Sequence, residues 1–138
     1  MVSTRRRTVT TTGQGDAHDV TSAVAEALAD SGLRSGIVTV FVVGSTAAMT
    51  TLEFEDGVIA DLGRALELVA PRHGEYEHHL RWHDDNGSSH VRAALMGPAV
   101  TIPFVDGQLS LGTWQQITLV ELDTRGRKRE IVIQVMGD

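Results

Sequence analysis

Ile37-Val-Thr-Val-Phe-Val-Val43 constrains the fold more than any other stretch of this chain, because every residue but Thr39 is apolar. Most of these side chains are β-branched, which stiffens χ1 and favours extended backbone. A strand with one wet face would alternate apolar and polar residues. This one does not alternate, so it predicts a central strand covered on both faces. Shorter runs with strand character accompany it: Arg7–Thr12, Met49–Phe54, Val91–Met96, Ala99–Val105, Gln108–Leu111, Gln116–Asp123 and Arg129–Met136. Between two of them lies Asp106-Gly107, the pair of a type I′ turn, whose central residues both need positive φ. Thr124–Arg127 predicts the turn of a last hairpin.

Two segments carry helical spacing instead. Val20, Val24 and Leu28 recur on one face between a Thr21 N-cap and a Gly32 stop. Val58, Leu62, Ala65, Leu66 and Val69 form a second amphipathic face, ended by Pro71. Residues 71–89 read as polar and irregular, with Gly74 and Asn86-Gly87 arguing against a helix there. Two helices on a mostly antiparallel sheet make an α+β fold, and residues 1–138 form one domain.

Composition narrows the chemistry. The chain has no cysteine, which excludes disulfides, a thiolate nucleophile and sulfur-ligated zinc. Its formal charge of −6 argues against nucleic acid or an anionic membrane as partner. Arg5-Arg6-Arg7 and the cluster Arg125, Arg127, Lys128 and Arg129 read as solvated strand entries and turns. No apolar run reaches the roughly 20 residues of a membrane span, and no apolar stretch follows the N-terminal arginines as in a signal peptide. The expected location is the cytoplasm.

The densest polar segment is Glu75–His90, which holds five of the six histidines with His73 just before it counted among them. His83 and His90 stand at the two ends of Asp84-Asp85-Asn86-Gly87, so a tight return brings their rings together as acid–base groups or metal ligands. His73, His78 and His79 read as solvated. Gly44-Ser45-Thr46 opens a run of small hydroxyl residues after the apolar strand, either a phosphate cradle of backbone amides or a plain turn. Glu53 follows at the end of the next strand as a base or ligand. Arg92, early in an apolar run, either snorkels from a sheet edge or pairs with an anion, which its planar fork suits. In Gly112-Thr113-Trp114-Gln115, Trp114 is expected in the core and Thr113 and Gln115 against a ligand. Trp82 is placed to stack on a heteroaromatic ring or to be partly buried.

Together, Gly44–Glu53, Trp82–Asn86, Asn86–Pro98 and above all Leu111-Gly-Thr-Trp-Gln115 resemble the YjbQ-like proteins, also called the UPF0047 family, over about Asp19 to Gly137. The resemblance implies an α+β fold with a mixed sheet, and trimers with sites near the subunit contacts. It also implies a secondary thiamine-phosphate synthase: a pyrimidine diphosphate joined to a thiazole phosphate with loss of pyrophosphate. His83, His90 and Glu53 would then be catalytic, and Ser45, Thr46, Arg92, Thr113, Gln115 and Trp82 would hold the phosphorylated substrate. The alternative is a binding or regulatory protein without catalysis. It is favoured by two departures, since many relatives carry His-Thr-Thr where Gly44-Ser45-Thr46 stands and His-x-His where Ser88-Ser89-His90 stands. Loss of two imidazoles makes zinc a poor fit, and Asp84 and Asn86, with Asp85 and Glu53, suit magnesium better.

Overall fold

A computed structural model describes residues 1–138. In chain order the elements are β1 (Val2–Thr10), β2 (Ala17–Asp19), α1 (Thr21–Ser31), β3 (Gly36–Val43), β4 (Ala47–Leu52) and α2 (Asp56–Val69). Then come α3 (Glu77–Trp82), α4 (Gly87–Met96), β5 (Ala99–Val105), β6 (Gln108–Leu109), β7 (Gln116–Glu121) and β8 (Lys128–Gly137). The strands make two sheets, one of five strands in the order β1-β8-β3-β5-β6 and one of three in the order β2-β7-β4. Every pairing is antiparallel, so the fold is α+β as expected while the mixed sheet is not found.

The main core lies between the sheets. Val38, Val40 and Val42 of β3, Ile131, Ile133 and Val135 of β8, and Phe104 of β5 point inward to Ile117 and Leu119 of β7 and Met49 of β4. Helix α1 fills the same layer with Val24, Ala27 and Leu28. A second, smaller cluster lies on the other face of the three-stranded sheet, where Ala48, Val120 and Leu122 meet Leu66 of α2 and Ala93 of α4. Strand β7 is thus the one buried on both faces, from Ile117 to Glu121. The expectation that β3 is covered on both faces fails within the chain. Only Val38, Val40 and Val42 meet the core. Ile37, Phe41 and Val43 on the other face stay at 42%, 40% and 46% exposure, because the helices pack elsewhere.

Several local expectations hold. Asp106 (φ 52°) and Gly107 (φ 73°) make the left-handed turn between β5 and β6. Gly32 ends α1 in the left-handed conformation at φ 68°. Thr21, expected to cap α1, is instead its first residue, and its Oγ1 accepts the Ile117 N–H at 2.9 Å, tying the helix to β7.

Other expectations fail for identifiable reasons. Val91–Met96 is helical, because Ala93-Ala94-Leu95-Met96 are strong helix formers and Gly97-Pro98 stops the run. The supposedly irregular segment holds the short helix α3, so there are four helices rather than two. Thr124–Arg127 joins strands of different sheets and is not a hairpin turn. Trp114, expected in the core, is 73% exposed, because it lies in a loop between β6 and β7 whose residues 112–115 are all exposed. Arg129, expected in solvent, is 6% exposed, since its alternation along β8 points it into the fold. No helix is long and apolar enough to cross a membrane.

Candidate functional site: a histidine pair beside a small cavity

Helices α3 and α4 lie next to each other in sequence and bring two imidazoles together, but not the expected two. The His78 and His90 rings are 4.5 Å apart, centroid to centroid, tilted at 56°. His83 instead ends α3 in the left-handed conformation at φ 57°, with its side chain in solvent. Helical geometry explains the exchange: His78 sits one turn back, on the face of α3 turned to α4, whereas His83 has left the helix.

Polar groups surround the pair. His78 Nε2 lies 3.3 Å from Asp84 Oδ1 and 3.1 Å from the Asn86 amide. With its nitrogen turned that way, the amide donates to Asp84 Oδ1 at 2.9 Å and to His78 Nε2. His79 Nε2 accepts the Gly87 N–H at 2.9 Å, which leaves the ring proton on Nδ1 and joins α3 to the start of α4. His90 is held below the usual imidazole pKa of 6.5, first by burial and then by the neighbouring His78, against the pull of Asp123 and Asp84. At neutral pH His90 therefore carries one N–H donor and one lone pair, not a charge.

A cavity of about 370 Å³ adjoins His90, lined further by Gly44, Ser45, Ala47, Ala93 and Pro98. A wider one of about 570 Å³ lies along α3 against Gly74, Tyr76 and Leu80, and neither His78 nor His90 lines it. The first is lined by His90, so it is the candidate site.

Beneath it runs a buried ion-pair network. Arg129 donates from Nε to Glu121 Oε1 at 2.9 Å and from Nη2 to Glu121 Oε2, to the Thr46 carbonyl at 3.0 Å and to Thr46 Oγ1 at 2.7 Å. Thr46 Oγ1 in turn donates to Asp123 Oδ2 at 3.0 Å, and Arg127 Nε donates to the same oxygen at 3.0 Å. Burial alone would raise both carboxyls. Hydrogen bonds from Arg129 and Thr11 hold Glu121 below the ordinary carboxylate range, and those from the Thr124 N–H, Arg127 and Thr46 do the same for Asp123.

The remaining expected residues are scattered. Ser45 lines the cavity and Thr46 belongs to the network. Arg92 is buried, but its Nε donates to the Ala70 carbonyl at 2.8 Å and its Nη2 to Glu67 Oε2 at 2.6 Å, so it fastens α4 to the end of α2. Glu53 lies exposed past the end of β4. Gln115 bridges Gly112 and Thr51 at the exposed end of the three-stranded sheet, and Thr113 beside it only accepts from Gln116. Trp82 is 61% exposed, with Arg81 over its ring. Asp84 and Asn86 do face the histidines, yet no group of three or more histidine and carboxylate side chains is gathered to hold a metal ion. Three residues of the site, His78, Asp123 and Arg129, were not singled out from the sequence. For the last two a signal existed: Glu121 and Asp123 end an apolar run, and carboxylates there call for buried cations.

Residues 5–138 match the family model described as UPF0047 protein YjbQ-like. A UPF0047 protein of Methanothermobacter thermautotrophicus is 40% identical over 119 residues, covering 86% of this chain and 81% of that protein. The UPF0047 protein YjbQ of Salmonella typhimurium is 30% identical over 107 residues, 77% of each chain. Among solved structures, a YbjQ-like protein of unknown function from Sulfolobus solfataricus superposes with a TM-score of 0.89 at 29% identity over all of both chains. A hypothetical protein from Aeropyrum pernix does so at 0.88 and 33% over 98% of each.

Proposed function

Because this chain belongs to the UPF0047 protein YjbQ-like family, we propose that it is a cytoplasmic transferase of the thiamine-phosphate synthase kind. In that reaction the thiazole nitrogen attacks the methylene carbon of the pyrimidine diphosphate, the carbon–oxygen bond breaks, and pyrophosphate leaves with the electron pair. The product nitrogen is quaternary, so no proton has to be removed. The protein's task is to align two rings and to stabilise the leaving anion. The observation that carries the reading is the neutral His90 on the wall of the Gly44-Ser45 cavity. Through the nitrogen that faces the cavity, a neutral imidazole can donate to the ring nitrogen of an aminopyrimidine or accept from its amino group. His78 backs the ring, and Asp84 and Asn86 orient His78 in turn.

The carboxylates here are engaged with neighbours, and they do not form a metal cage. Magnesium is accordingly proposed to arrive with the substrate diphosphate, as it commonly does, and no step depends on it.

The active form is proposed to be a homotrimer. The outer face of the five-stranded sheet supports this. Register aligns Val2, Met136, Ile37 and Pro103 in one row and Val132, Phe41 and Ala99 in another. No element of the same chain covers these side chains, and a second copy is the occupant that continues the layered packing. Light scattering should give about three times the 14.9 kDa chain mass, and Phe41→Glu should reduce it to one. A single-chain mass for the unaltered protein would remove this part.

The decisive test is growth without thiamine of a strain lacking its main thiamine-phosphate synthase. The chain should restore growth, and His90→Ala should abolish it. Equal growth with and without His90 would overturn the site. The second reading, binding without catalysis, is favoured by the hydroxyls of Ser88 and Ser89 beside His90, which are buried and make no hydrogen bond, so no partner there is poised for chemistry. Saturable binding of both phosphates with no product would establish it instead.

A further inference from the structure

Residue 44 is a glycine for a reason that lies across the fold on β8. A Cβ built there would stand 2.8 Å from Arg129 Nη1, and the backbone has φ 143°, a value that side-chain-bearing residues rarely adopt. The guanidinium therefore occupies the space in which a side chain at position 44 would begin. Arg129 makes its hydrogen bonds through Nε and Nη2, along the edge turned to Glu121 and Thr46. Nη1 makes none, and it is not among the side-chain atoms sealed from solvent without a partner. Two N–H groups on a charged, nine-tenths buried side chain thus remain unused beside an exposed glycine.

The ion pair does not consume the cation. Glu121 also accepts from Thr11 Oγ1 and from the backbone N–H groups of Leu122 and Asp123, so its charge is spread over donors besides Arg129. The carboxylate holds one edge of the fork rigid, which leaves the other edge aimed without further loss of side-chain freedom. Ser45, next along the chain, lines the same cavity as Gly44 and carries an exposed hydroxyl with no partner in the chain. The other two arginines of the region are occupied, Arg92 by Ala70 and Glu67 and Arg127 by Asp123.

We propose that Arg129 Nη1, reached through the gap left by Gly44, binds a phosphoryl oxyanion together with Ser45 Oγ. This deepens the reading of the cavity as a site for phosphorylated substrates and rests on it. It assigns the leaving diphosphate to the Gly44-Ser45 end and the pyrimidine to the His90 end. Arg92, the arginine that sequence suggested for this role, has none.

Titration of inorganic pyrophosphate into the ¹⁵N-labelled full chain tests it. The Arg129 side-chain signals should shift saturably while those of Arg92 stay in place. Gly44→Ala, which puts a methyl group against Nη1, should weaken pyrophosphate binding about tenfold or more, the worth of a charge-assisted hydrogen bond, and Ser45→Ala should weaken it less. Should Gly44→Ala fail to fold, the side-chain shifts of the unaltered protein decide alone. Arg129 signals unmoved at saturation, or undiminished binding by folded Gly44→Ala, would overturn the proposal. His90→Ala separates the two readings, because it should keep pyrophosphate binding and lose product. Arg129-dependent binding without any thiamine phosphate formed would sink the transferase and leave the oxyanion site standing.

Discussion

Along β5 and β8 inward side chains alternate with outward ones, and Ile102, Phe104, Ile131, Ile133 and Val135 are all at most 4% exposed. From α2 to α4 the pattern is nearly reversed. Helix α2 buries only Leu66, α3 buries nothing, and α4 buries Gly87, Ser88, Ser89, Arg92 and Ala93. Leu68, Leu80 and Leu95 are at 86%, 79% and 65% exposure on that same flank. The sheets are held by a large apolar core, whereas the flank rests on the small Leu66–Ala93 cluster and on single polar contacts such as Arg92 to Ala70 and Gly87 to His79. The paired histidines His78 and His90 sit on the weaker half, where small shifts of α3 against α4 cost least. The arginine proposed to hold the anion sits on the rigid half.

The largest effects should come from the sheet side. Phe104→Ala removes a fully buried ring from the main core and should cost about 3–5 kcal/mol in chemical denaturation. Glu121→Ala should cost a similar amount, about 3–5 kcal/mol, because it strands the Arg129 charge in the interior. A loss below 1 kcal/mol for either would show that the two halves are not built differently.

On the flank, Arg92→Ala leaves the buried Ala70 carbonyl unpaired and should cost about 1–3 kcal/mol. It should leave pyrophosphate affinity unchanged, which calorimetry can measure. A large loss of affinity would return Arg92 to the site.

Acid should act on both halves, in different windows. Glu121 and Asp123 have folded pKa values below their ordinary 4.5 and 3.8. Their contribution is thus complete at neutral pH and is lost as pH falls from those values through the lower folded ones. His90 also has a lowered folded value, so its contribution is present above 6.5 and declines as pH falls below it. Activity that requires neutral His90 should persist to a pH below 6.5. A midpoint above 6.5 in the pH–activity profile would contradict this. Smallest of all, Leu68→Ser should change stability by about 0.5 kcal/mol or less, since the side chain is already in water.

The residues that were misread in sequence are those whose environment is set by a partner far along the chain. The Asp106-Gly107 turn and the α1 face are local signals, and each was legible, whereas the apolar run of β3 hid the alternating burial that packing gives it. Arg129 looked like a turn cation because its sequence neighbours are basic, yet its partner Glu121 reaches it only once β7 and β8 pack in different sheets. Arg92 looked like an anion ligand because its run was read as a strand. As a helix residue it faces Ala70 and Glu67. His78 and His83 differ by five positions, and only the helical phase of α3 decides which meets His90.

Periodicity, turn chemistry and composition therefore determined from sequence alone that this is an α+β fold with Ile37–Val43 as a central strand and without cysteine chemistry. Tertiary structure decided which imidazole pairs with His90, which arginine keeps free donors, and that one face of β3 is left uncovered. The physical reason is that secondary structure follows from contacts a few residues apart. A binding site depends instead on the phase of each element and on ion pairs between segments that only packing brings together.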